Sequence, residues 1–160
     1  MGYIMDLRKY VGKRPILMPA AGAAIINENN EILLQRRTDN KCWGIPGGSM
    51  ELGETFEETA TREVMEETGL SVNRLELFNI FSGEDLHYIY PNGDEVYITT
   101  AVFLCNNYSG DLKRDEEETL ELGFFKLNDL PLERDLNPPD RIIISKLKDY
   151  LLNQGDDFNE

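Results

Sequence analysis

The spacing of hydrophobic and polar positions changes several times along the chain, and each change marks an element. Residues 16–28, "ILMPAAGAAIINE", are small and apolar and read as a buried strand. The turn "NENN" (Asn27–Asn30) leads into a second strand, "EILLQRR" (Glu31–Arg37), and then into a loop of turn formers, "TDNKCWGIPGG". A period of four follows, with Phe56, Ala60 and Val64 forming one apolar stripe. Thr55-x-x-Glu58 has the form of a capping box, and Gly69 stands where a helix C′ glycine belongs. The spacing therefore predicts a helix over Phe56–Thr68. "LSVNRLELFNIFSG" reads as a strand, and "LHYIYPNGDEVYITTAVFLC" as two strands about Asn92-Gly93, a strong hairpin signal. "SGDLKRDEEET" is an acidic loop, and "LELGFFKLNDLP" is a strand ending at Pro131. "RIIISKLKDYLLN" is an amphipathic helix with Ile142, Ile143, Leu147 and Leu151 among its apolar positions. The basic lead-in "MDLRKYVGKRP" fits either a helical turn or an edge strand.

Six or seven strands and two main helices result, without the strict βαβ alternation of a doubly wound sheet. That layout predicts an α+β (α/β) fold: a mixed-sheet sandwich with helices on both faces. One domain over residues 1–153 is expected, followed by a flexible tail over 154–160.

Composition narrows the function classes. A chain of 160 residues with 41% hydrophobic content can build a proper core. Its formal net charge of −14 disfavours nonspecific nucleic-acid binding and anionic membrane surfaces, both of which need positive charge. An acidic protein can still handle an anionic substrate through bridging cations. Two isolated cysteines, Cys42 and Cys105, and a single histidine, His87, make a zinc site a poor expectation. Unpaired thiols suit a reducing compartment, and the first residues show no apolar signal region, so a cytoplasmic location is expected. No apolar run approaches the ~18 residues of a membrane span.

The candidate chemistry sits in and around the first predicted helix. Seven glutamates fall within Gly47–Leu70, and Glu63, Glu66 and Glu67 stand at i, i+3 and i+4. This spacing puts three like charges on one helix face, a face that repels itself unless something positive relieves it. A solvated acidic surface is the plain explanation. Two features count against it: no lysine at i,i+4 relieves the trio, and a glycine loop precedes the helix. A carboxylate trio on a rigid helix suits a hard cation, and magnesium prefers a few carboxylates, waters and substrate phosphates. Gly47 and Gly48 let the backbone approach a metal or phosphate closely. Arg62 can pair with Glu54 or Glu58. A P-loop needs GK[ST] at the helix start, and an EF-hand needs alternating acidic loop residues; neither is present.

Gly48, five residues, Glu54, seven residues and then "REVMEETGL" (Arg62–Leu70) resembles the Nudix box at every defined position. The resemblance extends to "NENNEILLQRR" and "WGIPGG" upstream and "LELGFFKLNDLP" downstream, covering Val11 to about Leu152. It implies an α/β/α sandwich with a mixed β-sheet. It also implies hydrolysis of a nucleoside diphosphate linked to another group, with Mg²⁺ or Mn²⁺ as cofactor. Carried over by position, Glu63, Glu66 and Glu67 would be metal ligands, Gly48 would offer a carbonyl, and Arg62 and Glu54 would brace the glutamates. Glu118, with Glu121 next, is the candidate for a further base from a distant loop. Arg37 matches a substrate-contacting arginine of relatives, and Arg36 is its neighbour on the opposite strand face.

Trp43, Phe81, Tyr88, Tyr90 and Tyr97 are candidates to stack on a base, with Tyr90 preferred; strand aromatics more commonly serve packing. His87 reads as structural or exposed, and Glu51 and Glu57 as solvated. Asp140 and Asn137 lie near the place where some relatives read an oxidised guanine, without a clean match. The expected partner is a small-molecule nucleotide: a nucleotide sugar such as ADP-ribose, a dinucleoside polyphosphate, or a canonical or oxidised triphosphate. A nucleotide-sugar-sensing domain without catalysis is the alternative, and the intact motif weighs against it. Many relatives are homodimers, and "YIMDLRKY" is the candidate interface.

Overall fold

A computed structural model describes residues 2–156, which form α1 (Tyr3–Val11), β1 (Ile16–Ile25), β2 (Ile32–Arg37), β3 (Trp43–Gly44), β4 (Gly47–Ser49), α2 (Phe56–Thr68), β5 (Ser71–Phe81), β6 (His87–Ile89), β7 (Glu95–Ser109), β8 (Thr119–Phe125) and α3 (Asp140–Asp156). The long strand β7 is the spine. It runs parallel to β1 from Ile16↔Val96 to Ile25↔Cys105, while its other edge is shared by antiparallel β5 and β6. β4 pairs antiparallel with the far edge of β1, completing a mixed five-stranded sheet ordered β4-β1-β7-β5 with β6 beside β7. A second sheet, β3-β2-β8, is antiparallel.

Strand alternation sorts the core into two layers. Ala21, Ala23 and Ile25 of β1 pack with Ala101, Phe103 and Cys105 of β7 against Ala60 and Val64 of α2. Ala24 of β1 and Val102 of β7 point the other way, into a cluster with Ile143, Ile144, Leu147 and Leu151 of α3. The sheets thus lie between helices, as the alternation of small and branched residues requires. Each fully buried Val or Leu of these clusters contributes about 1.5–3 kcal/mol by leaving water.

The local signals of α2 are present in full. Thr55 Oγ1 accepts from Glu58 N at 3.1 Å, and Glu58 Oε2 accepts from Thr55 N at 2.8 Å. Gly69 takes the left-handed conformation at φ +77° and donates its N–H to Met65 O. The Asn92-Gly93 hairpin also forms, through a three-residue loop closed by Tyr90 N to Asp94 O at 2.8 Å. The basic lead-in resolves as the helix α1. Its Arg8 is buried and donates to the carbonyls of Gly12, Arg14 and Glu95 at 3.0, 2.7 and 2.7 Å, which ties the helix to the start of β7. α3 runs to Asp156, three residues past the predicted end, and the rest of the expected tail, 157–160, lies outside the described residues. Among the described residues no helix is long and apolar enough to cross a membrane.

Removing the cap hydroxyl tests how much of the α2 register is set locally. Thr55→Ala is expected to cost about 1 kcal/mol. For a domain of this size that is a fall of about 2–4 °C in the thermal unfolding midpoint, read by circular dichroism.

Candidate active site

Arg62 is the hub of the site. Its guanidinium forks onto Glu54, with Nε to Oε1 at 2.6 Å and Nη2 to Oε2 at 3.1 Å. The same group donates to Glu63 Oε1 at 2.8 Å, to Glu66 Oε2 at 3.3 Å and to the carbonyl of Ser49 at 3.1 Å. One cation on α2 therefore orients three carboxylates and pins the end of β4 to the helix. Glu54 is held further by the Thr59 hydroxyl at 2.7 Å and by Glu51 N at 2.9 Å. The Arg62 contact pulls its carboxyl down to about 2, so it stays ionised at any working pH. Glu58, the other predicted partner of Arg62, is occupied in the helix cap.

Glu63 and Glu67 turn inward from α2. Glu67 is only 4% exposed. Its Oε2 accepts from Gln35 Nε2 at 2.6 Å and from Gly47 N at 3.0 Å. Burial raises the Glu67 carboxyl well above its ordinary range, and the neighbouring Glu63 charge adds to that. Burial also raises Glu63, against the opposing pull of Arg62. Gly48 fits beside them because it has no side chain: a Cβ there would lie 2.5 Å from the Glu63 carboxyl carbon. Glu66, the third member of the predicted trio, faces solvent with its side chain 54% exposed and reaches only Arg62. The helical spacing predicts one face; the structure splits it, two carboxylates in and one out.

Glu63, Glu67, Gly48 and Glu118 line one cavity of about 490 Å³. Glu118 is exposed on the loop before β8, where partial desolvation and the nearby Asp115 raise its carboxyl. Arg37 lines the same cavity and is locked by Asp39, with Nε to Oδ1 at 2.9 Å and Nη2 to Oδ2 at 2.8 Å. Tyr88 and Tyr90 line it too, packed edge to face with centroids 4.9 Å apart. Arg36 lies on the other face of β2 and pairs with Glu121 at 3.2 Å, so neither is among the lining residues. Trp43 packs edge-on against Phe125, Phe81 is in the core, and Tyr97 packs against His87. His87 in turn meets Glu95 at 2.7 Å. Glu51 is partly exposed, as expected, and its carboxyl also accepts from Tyr3 N at 2.9 Å, which anchors α1.

Asn137 and Asp140, which the sequence places near the site without a clean match, line the cavity, and Asn40, which carries no signal in the sequence, bonds to two of the lining residues. Asn40 Nδ2 donates to Tyr88 Oη at 2.9 Å and to Asn137 Oδ1 at 2.7 Å. Asn137 Nδ2 donates to Asp140 Oδ2 at 2.5 Å, and burial raises the Asp140 carboxyl. Ile4, Met5 and Arg8 bring α1, the expected dimer segment, to the cavity as well. Among the described residues, three or more acidic groups do not already converge in ligand geometry. The donor set nonetheless suits a hard divalent ion. It is all oxygen, from the buried Glu67 and the largely buried Glu63 with a third at Glu118, and the Glu63 charge works against ionised Glu67.

Comparison with known proteins agrees with this geometry. A family profile described as the NUDIX domain matches residues 16–147. An ADP-ribose pyrophosphatase of Methanocaldococcus jannaschii is 38% identical over 130 residues, spanning 79% of this chain and 71% of that protein. The NAD-capped RNA hydrolase NudC of an Enterobacter strain is 32% identical over 138 residues, spanning 84% of this chain but only 48% of its relative. The crystal structure of a MutT NUDIX hydrolase from Burkholderia pseudomallei superposes with a TM-score of 0.68 at 30% identity, covering 81% of this chain and 97% of that one.

The raised Glu67 carboxyl has a direct consequence for stability. A carboxyl whose folded pKa lies above its unfolded value of about 4.5 favours folding only while protonated. Its contribution is complete at acid pH and is lost as pH rises from about 4.5 through the raised folded value. In metal-free protein Glu67→Gln, which keeps an oxygen for Gln35 and Gly47, is therefore expected to unfold at a higher temperature than wild type near pH 7.5. The gap should shrink toward zero as pH falls below about 4.5. Thermal midpoints of both proteins across that range, in EDTA, check the sign.

Proposed function

The chain belongs to the Nudix family of hydrolases, and on that footing we propose that it cleaves the pyrophosphate linkage of a nucleoside diphosphate joined to another group, with ADP-ribose as the first candidate and Mg²⁺ or Mn²⁺ as cofactor. The observation that carries the reading is the convergence of the buried Glu67 and the largely buried Glu63 on a cavity wall shared with Gly48 and Glu118. The similarity to an archaeal ADP-ribose pyrophosphatase supports the choice of first substrate.

In this reading Glu63 and Glu67 bind the ion, Gly48 offers its carbonyl, and Glu66, exposed and held by Arg62, joins the set by turning toward them. When bound, the divalent ion offsets the charge of the pyrophosphate and makes water a usable nucleophile near neutral pH. Arg62 and Glu54 hold the glutamates in place. Glu118 accepts the proton of the attacking water; its raised pKa brings it closer to working pH, as a general base requires. Arg37, held by Asp39 through Nε and Nη2, offers its Nη1 group to a phosphate oxygen. Tyr90, with Tyr88, flanks the base or sugar. For a chain of net charge −14, an anionic substrate is brought in by the cation it shares with the protein.

The test is a phosphate- and AMP-release screen with Mg²⁺ and Mn²⁺ over ADP-ribose, dinucleoside polyphosphates, nucleotide sugars, and canonical and oxidised triphosphates. Glu63→Gln and Glu67→Gln are expected to lower kcat on the best substrate by about 10²–10⁴-fold with the fold intact, and EDTA to abolish turnover. Near wild-type turnover by both variants would remove the metal assignment. Glu118→Gln is expected to lower kcat while leaving Mn²⁺ affinity within a few-fold of wild type, which separates proton transfer from ion binding.

A further inference from the structure

Gln35 is a polar side chain in a strand that otherwise reads as core. Ile32, Leu33 and Leu34 before it are fully buried, and Gln35 itself is 2% exposed. A buried amide is costly unless both of its ends are paired. Both are. The Thr119 hydroxyl donates to Gln35 Oε1 at 2.8 Å, and Gln35 Nε2 donates to Glu67 Oε2 at 2.6 Å. The carboxylate settles which way the amide faces: Glu67 Oε2, which already accepts from Gly47 N, takes an N–H from the amide, and Oε1 is left for the hydroxyl, which can donate or accept. The amide and Gly47 N then claim the same carboxylate oxygen, and among the described residues Glu67 Oε1 receives no protein donor.

Thr119 has a second attachment. It is fully buried at the start of β8 and directly follows Glu118. A register shift between Arg36 and Arg37 sets Thr119 opposite Arg37, and the carbonyls of Glu117 and Glu118 accept from Thr38 Oγ1 and N at 2.9 and 3.0 Å. The loop that carries Glu118 is thereby fixed to the same strand end as Gln35. A single buried chain, Thr119–Gln35–Glu67, joins two walls of the cavity that come from distant parts of the sequence.

We propose that Gln35 and Thr119 are positioning residues for the metal site: they turn one oxygen of Glu67 toward the ion and hold Glu118 in register with it. This rests on the metal-dependent reading given above. Neither residue belongs to the glutamate motif, and both act through Glu67 and Glu118. Groups that orient a ligand in this way are worth about 10–100-fold in metal affinity.

The test is Mn²⁺ binding to substrate-free protein, followed as loss of the free-ion signal in electron paramagnetic resonance, for wild type, Gln35→Leu, Thr119→Val and Thr119→Ser. Thermal midpoints are recorded alongside. Gln35→Leu is expected to weaken Mn²⁺ by about tenfold or more. Thr119→Val should weaken it by several-fold and Thr119→Ser, which keeps the hydroxyl, should bind as wild type does. Wild-type Mn²⁺ affinity in Gln35→Leu and Thr119→Val, whatever their midpoints, would overturn the proposal and leave the metal reading standing. Equal weakening by Thr119→Val and Thr119→Ser would also overturn it, because the hydroxyl would not be the agent. If wild type itself binds no Mn²⁺, the metal-dependent function falls and this proposal falls with it. If Gln35→Leu fails to fold, the Thr119 pair decides alone.

Discussion

Two carboxylates held out of water, one helical turn apart, are the constraint around which the rest is arranged. Glu63 and Glu67 repel each other, and burial sharpens the repulsion because the surroundings no longer screen it. The chain answers with donors rather than with distance. Arg62 holds Glu63, while Gln35 and the Gly47 amide hold Glu67. Arg62 would be an uncompensated cation in its turn, and Glu54 balances it through a two-point contact. A side chain at position 48 would push the Glu63 carboxyl out of its place, because that carboxyl fills the space a Cβ would need. Each of these residues follows from the decision to bury two charges of one sign.

The fold supplies the stiffness that such an arrangement needs. α2 is capped at both ends and packed on β1, β4 and β5, so the glutamates cannot relax by shifting the helix. β4 is a short edge strand, yet it is fixed by its pairing with β1 and by the Arg62 contact to the Ser49 carbonyl. The second sheet brings Gln35, Arg37 and the Glu118 loop to the same cavity. The cavity wall is thus assembled from a helix, an edge strand and a separate sheet, each held by its own ladder or cap.

Much of this was legible in the sequence, for local reasons. The capping box, the closing glycine, the apolar stripe and the glutamate spacing all lie within about one helix of one another, so short-range geometry suffices to read them. The order of elements pointed to the mixed-sheet sandwich, and family resemblance agreed with it and added the reaction class. What was not legible depends on contacts across the chain. Gln35 meets Glu67 across 32 positions and Thr119 across 84; Asn40 meets Asn137 across 97. Spacing could not show that Glu66 turns outward, since that depends on where β4 approaches the helix. Nor could it show which of Arg36 and Arg37 faces the cavity, since strand alternation separates the two without saying which side is which. The helix α1 stayed ambiguous because its one decisive residue, Arg8, is an arginine in the interior, where composition leads one to expect leucine.

That helix has a consequence for descent. The segment matched to the family, residues 16–147, contains every carboxylate of the proposed metal site, whereas α1 precedes it and still contributes Ile4, Met5 and Arg8 to the same cavity. One cavity is therefore under two kinds of inheritance. Its reactive end is written in the common segment and bound by the burial of charge, so it has little room to drift. Its α1 wall is written in nine residues outside that segment, joined to it chiefly by the Arg8 carbonyl contacts and the Glu51 link. A lineage can rewrite that wall, and with it the range of molecules admitted, while leaving the old chemistry in place.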